Sequence, residues 1–143
     1  MNTVVTQKQI RLVQESFSTI TDLSEPIGKL FFGRLFEVDP ALRTMFPKDV
    51  GAQGRKVMAA LTAVVENLHR FEEVLPSLKA LGQRHVGYGV KTEHYDVATS
   101  AMLWAFGAAL ENDFYPEMKA AWRAALEKMA AAMKDGAAEL QRA

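Results

Sequence analysis

The chain holds three histidines, His69, His85 and His94, and no cysteine, so an imidazole is its strongest candidate for ligating a metal. His85 is set apart by its neighbours. Val74, Leu78, Leu81, His85 and Tyr88 recur at helical spacing and predict one apolar stripe that turns the imidazole inward. Gly87 and Gly89 follow within a turn and predict that the helix ends there, which puts His85 near its C-terminus. A histidine on an apolar face has two readings, a core residue with a satisfied hydrogen bond, which is the commoner case, or a ligand.

A tetrahedral zinc site built on these histidines would need scattered carboxylates at no recognisable spacing. A metal that takes one strong protein ligand suits the sequence better, and haem iron, held by four porphyrin nitrogens and an imidazole, is such a metal. The lack of cysteine removes disulfides, iron–sulfur clusters, thiolate ligation and covalent attachment through Cys-x-x-Cys-His. A haem would then be held non-covalently.

The length of 143 residues suits a single domain over residues 1–143, with no room for a second catalytic domain. Seventeen basic and seventeen acidic residues balance, without charge runs, which argues against a dedicated nucleic-acid binder or a polybasic membrane anchor. The N-terminus lacks the apolar run of a signal peptide. The longest apolar stretch, residues 101–110, is too short to span a bilayer, so a cytoplasmic protein with no membrane partner is expected.

The elements around His85 all read as helices. Thr6 with Gln9 forms a capping box for a first helix of about four turns bearing Ile10, Val13 and Phe17. Ser24 and Pro26 open a second, with Ile27, Phe31 and Leu35 on one stripe and Gly28, Phe32 and Phe36 on the next. Asp39-Pro40 starts a short helix, with the acid as N-cap, that ends near Phe46-Pro47. A long helix is predicted from about Val50 to Arg70, its stripe being Gln53, Val57, Leu61, Val64 and Leu68. Pro76 lies near the start of the His85 helix. Thr92 caps the next, whose inward stripe is Tyr95, Ala98, Met102, Ala105 and Ala109, and Pro116 opens a final helix bearing Trp122, Leu126, Met129 and Met133. No segment alternates with strand period and no repeat is present, so the fold class is all-α around one core.

The segment Leu81-Gly82-Gln83-Arg84-His85, followed by Tyr88-Gly89-Val90 and His94-Tyr95, resembles the proximal segment of a globin. The likeness runs from about Thr6 to Met133 and is strongest to single-domain bacterial globins, the flavohaemoglobin haem domain and the neuroglobins. It implies the globin fold and non-covalent haem b, with His85 as the iron ligand. Its Nδ1 would donate to a carbonyl one turn back, that of Leu81. Phe46 matches the phenylalanine that packs flat on the haem, and Gln53 stands where many globins carry a distal histidine, with Val57 one turn further over the iron. Gly28 and Gly54 match the crossing of the second and distal helices, where missing side chains allow close approach. Lys56 and Arg84 could pair with the haem propionates or be ordinary solvated charges.

On the open side the resemblance places Phe32, Phe46, Gln53 and Val57, an apolar pocket with one donor for dioxygen, carbon monoxide or nitric oxide. Flavohaemoglobins usually carry a tyrosine where Phe32 stands. Tyr95 matches their proximal tyrosine, but the carboxylate paired with it would fall near Gly136 or Ala137, and the nearest acids are Asp135 and Glu139. The leading expectation is therefore a globin that binds dioxygen reversibly, for transport, storage or sensing. The alternatives are a nitric oxide dioxygenase or haem peroxidase served by a separate reductase, and a haem-free helical module that binds a partner. The oligomeric state is left open.

Overall fold

The computed structural model describes residues 4–142, and among them every regular element is helical. Six α-helices follow in order: α1 (Gln7–Asp22), α2 (Ser24–Val38), α3 (Gly51–Glu66), α4 (Leu75–Gly87), α5 (Thr92–Leu110) and α6 (Pro116–Arg142). Short 3₁₀ segments, Pro40–Met45, Leu68–Glu73 and Glu111–Asp113, turn the chain between them.

The helix starts follow local chemistry. Thr6 and Gln9 form the reciprocal box expected at α1, with the Thr6 hydroxyl accepting from the Gln9 N–H at 3.1 Å and the Gln9 side chain accepting from the Thr6 N–H at 3.0 Å. Two expected caps differ. Asp39 occupies the N-cap of the Pro40–Met45 segment without a side-chain bond. At α5, Thr92 is the first helical residue and Lys91 the cap; the start is closed by His94, whose Nδ1 accepts from the Lys91 N–H at 2.9 Å.

The long helix expected from Val50 to Arg70 is interrupted. Its apolar spacing continues through buried Leu68, but the backbone leaves the helix at Asn67 and re-enters a 3₁₀ turn, with Arg70 at φ −141°, ψ 60°. The Asn67 amide donates back to the Ala63 carbonyl at 2.9 Å, and its oxygen accepts from Arg70 Nε at 3.2 Å. An asparagine that bonds the backbone locally competes with helix continuation. His69 therefore sits in a separate, exposed turn.

α4 packs chiefly on α6, α2 on α5 and α3, and α1 on α6 and α3. Trp122 is the anchor, buried against Phe106 with ring centroids 4.9 Å apart and donating from Nε1 to Ser16 Oγ at 2.9 Å, which ties α6 to α1. Burying a side chain of this size contributes on the order of 1.5–3 kcal/mol. The tightest crossing is α4 on α6. A Cβ on Gly82 would run into the Met133 carbonyl, and one on Gly136 into the backbone of Lys79. α2 and α3 do meet at Gly28 and Gly54, but a Cβ on either would lie 3.7 Å from the other's Cα, an ordinary contact, so that crossing does not demand glycine.

Two pairs of consecutive helices, α3 with α4 and α4 with α5, lack extensive packing among the described residues. α3 and α4 are separated by a single short turn, yet share no extensive contact among the described residues.

Candidate functional site

His85 lies in the last turns of α4, half-buried, with Nδ1 2.8 Å from the Leu81 carbonyl oxygen, the bond expected one turn back. A carbonyl can only accept, so Nδ1 carries the proton and Nε2 the lone pair. Burial lowers the pKa of His85 and the neighbouring Arg84 lowers it further, while the bond to Leu81 works the other way. The ring is thus held neutral in the tautomer that can bind a metal.

Tyr95 of α5 lies nearly parallel to this imidazole, at 6.4 Å and 28°. Tyr88 approaches its edge at 5.6 Å but is 60% exposed, against the inward stripe expected for it. The reason is positional: α4 ends at Gly87, so Tyr88 is past the last residue that the helical period can place.

The aromatic side of the site forms where α2 and the Pro40–Met45 segment meet. Phe32 is buried, and its ring meets Phe46 edge-on at 5.3 Å and Phe36 at 5.8 Å; Phe36 and Phe46 are 5.6 Å apart. Phe32 also lies under α3, its ring 3.9 Å from where a Cβ on Gly54 would stand. Gln53 and Val57 flank that glycine, both half-buried, and the Gln53 amide has no hydrogen-bond partner among the described residues. Lys56 and Arg84 are exposed, and neither forms an ion pair among the described residues. Met45 reaches the α4–α5 loop, its Cε 3.9 Å from the Cβ position of Gly89, which turns there with φ +89°.

The structure thus groups Phe32 with Phe46, and His85 with Tyr95, in two separate clusters, while α3 and α4 share no extensive contact among the described residues. The Tyr95 hydroxyl is buried without a hydrogen-bond partner, and burial raises its pKa. No carboxylate reaches it. Gly136 is filled by the Lys79 backbone, Glu139 is held by Lys79 at 2.8 Å, and Asp135 is exposed. Two residues important to this geometry carry no periodic signal, Gly82 at the α4–α6 crossing and Arg43, which bonds carbonyls of the Phe46 turn.

A family model described as Globin matches residues 29–133. The chain belongs to the globin family. Among relatives of this globin, a flavohemoprotein of Rhodopirellula baltica is 27% identical over 118 residues, covering 80% of this chain and 29% of that protein. The globin thus spans under a third of that relative's length. An anaerobic nitrite reductase of Oryza sativa subsp. indica is 30% identical over 135 residues, covering 90% of this chain and 93% of that protein. A bacterial globin from Campylobacter jejuni superimposes with a TM-score of 0.88 over 96% of this chain and all of that one, at 23% identity, which establishes the shared fold. No helix among the described residues is long and apolar enough to cross a membrane.

Proposed function

We propose that this globin holds haem b between α3 and α4 with His85 as its only protein–iron ligand, and binds dioxygen reversibly beside Gln53. The observation that carries the reading is the Leu81–His85 bond, which prepares one neutral imidazole next to helices that do not pack on each other. The donor set fits the group: one imidazole with an Nε2 lone pair, aromatic rings at Phe32 and Phe46, a buried unpartnered hydroxyl at Tyr95, and a half-buried amide at Gln53. When bound, with His85 as its protein ligand, the haem would supply an iron able to take up a diatomic ligand.

The protein's part is to orient and to exclude. Phe46 and Val57 wall the pocket, and Phe32 backs Phe46 so that its ring cannot swing away. Gln53 is the donor to a ligand that carries partial negative charge, as dioxygen does more than carbon monoxide. Apolar walls keep water and protons from that ligand. Lys56 and Arg84 can pair with the propionates at the solvent edge. Exposed His69, on its own turn beyond Asn67, is not placed to act as a second axial ligand.

A second reading, an enzyme that turns over nitric oxide or nitrite with electrons from a separate reductase, is supported by the names of the flavohemoprotein and nitrite reductase relatives. Against it stand Phe32, which has no hydroxyl, and the absence of a carboxylate at Tyr95. Absorption spectra of the purified protein, oxidised, reduced and under air, test the haem and its ligand. Turnover of nitric oxide or nitrite with a supplied reductant separates the two readings. A protein without a Soret band would overturn both.

A further inference from the structure

Arg43 forms a contact set found nowhere else among the described residues. Its guanidinium donates from Nη1 to the Pro47 carbonyl at 3.0 Å and, at a longer 3.4 Å, to that of Phe46, while Nη2 donates to the Lys48 carbonyl at 2.7 Å. The same group lies over the face of Phe36, 5.1 Å from its centroid. The Arg43 carbonyl in turn accepts from the Phe46 N–H at 3.3 Å.

These carbonyls belong to the cap and loop that follow the Pro40–Met45 segment, where no helix supplies donors for them. A planar fork with several fixed donors can serve them together, where a lysine ammonium would act as a single point. The stacked face adds a second constraint. Phe36 is held from one side by Arg43 and packs its ring on Phe46 at 5.6 Å, and Phe46 is braced by Phe32 at 5.3 Å. One side chain therefore fixes the backbone of the Phe46 turn and the ring behind it.

We infer that Arg43 is the positioning residue for the Phe46 wall, setting how firmly the pocket retains its flat cofactor and how uniformly it presents the bound ligand. The functional half of this inference rests on the haem reading above; the staple itself does not.

The test compares the full-length protein with Arg43→Ala and Arg43→Lys. Amide hydrogen exchange of Phe46, whose N–H bonds the Arg43 carbonyl inside the stapled turn, reads how firmly the turn is held and is expected to rise at least tenfold in both variants, with α1 and α6 unchanged. Haem transfer to an excess of a scavenging apoprotein is expected to quicken about tenfold in Arg43→Ala, with Arg43→Lys nearer to Ala than to the parent. The C–O stretching band of the carbon monoxide form is expected to broaden or split, a change that a general loss of stability does not produce. Unchanged exchange in Arg43→Ala overturns the staple. Faster exchange with haem transfer and the C–O band both unchanged overturns the positioning role, and parental behaviour of Arg43→Lys overturns the role of the fork. If the parent lacks a Soret band, the haem reading fails separately, and the exchange data alone decide the staple.

Discussion

The Leu81 carbonyl holds His85 Nδ1 at 2.8 Å, one turn back on the same helix, so the backbone of α4 itself selects the tautomer of this half-buried imidazole. No other side chain is recruited. Replacing His85 therefore breaks no hydrogen bond to another side chain.

His85→Ala is therefore expected to fold and to lose stable haem binding, with the Soret band absent after gel filtration. Added imidazole should restore a histidine-type spectrum in part. A ferrous spectrum of imidazole ligation in the mutant without added imidazole would remove His85 as the ligand.

Gln53→Leu should speed oxygen dissociation by roughly one to two powers of ten, because a hydrogen bond to a charged acceptor is worth about 1.5–3 kcal/mol. Carbon monoxide release should change much less, and autoxidation should quicken. Stopped-flow displacement of oxygen by carbon monoxide measures the effect. An oxygen off-rate within about twofold of the parent, ~0.4 kcal/mol, would mean that the amide does not face the ligand.

Tyr95→Phe separates the buried hydroxyl from the ring. An unpartnered buried hydroxyl costs stability, so the cofactor-free variant should gain about 1 kcal/mol at pH 7 in a urea titration. The advantage of the variant widens toward alkali, because only the parent has a hydroxyl to titrate there. Burial raises the folded pKa of Tyr95, so its folded state keeps a proton that the unfolded state releases near pH 10. That contribution is complete below about pH 10 and is lost as pH rises through the folded value. The variant should show a shallower fall in stability between about pH 10 and 12.

Two glycine substitutions should move in opposite directions. Gly82→Ala forces a methyl group into the Met133 carbonyl and should cost at least about 1–3 kcal/mol, lowering Tm by roughly 4–12 °C. Gly33 in α2 is exposed, with nothing within contact of a Cβ, and Gly33→Ala should stabilise by about 0.4–1 kcal/mol. Calorimetry of both, in the same buffer, checks the contrast.

The readable parts of this chain were those set by local period and chemistry. The Thr6–Gln9 box, the stripes of α2 and the bond from His85 to Leu81 each involve residues three or four apart, where helical geometry leaves little choice. The break at Asn67 was hidden because Leu68 still falls on the apolar stripe, and only the asparagine's bond to Ala63 reveals the stop. Tyr88 was misplaced by extending a period past the helix that sustains it. Gly82 and Gly136 could not be paired from sequence, since 54 residues separate them and the close approach is a property of two crossing backbones. Of the site, the residue types were legible, whereas the bracing of Phe46 by Arg43 runs through backbone carbonyls that leave no pattern in the residues that own them.

The α4–α6 crossing also bears on signalling. Backbone touches backbone at both Gly82 and Gly136, and the Lys79–Glu139 pair bolts the same two helices at 2.8 Å, so α4 has little freedom to slide or tilt. A push on His85 would meet a helix held close to α6 only about one to two turns away, at Gly82 and Lys79. The strain would be absorbed locally, and the outer surface would barely register occupancy.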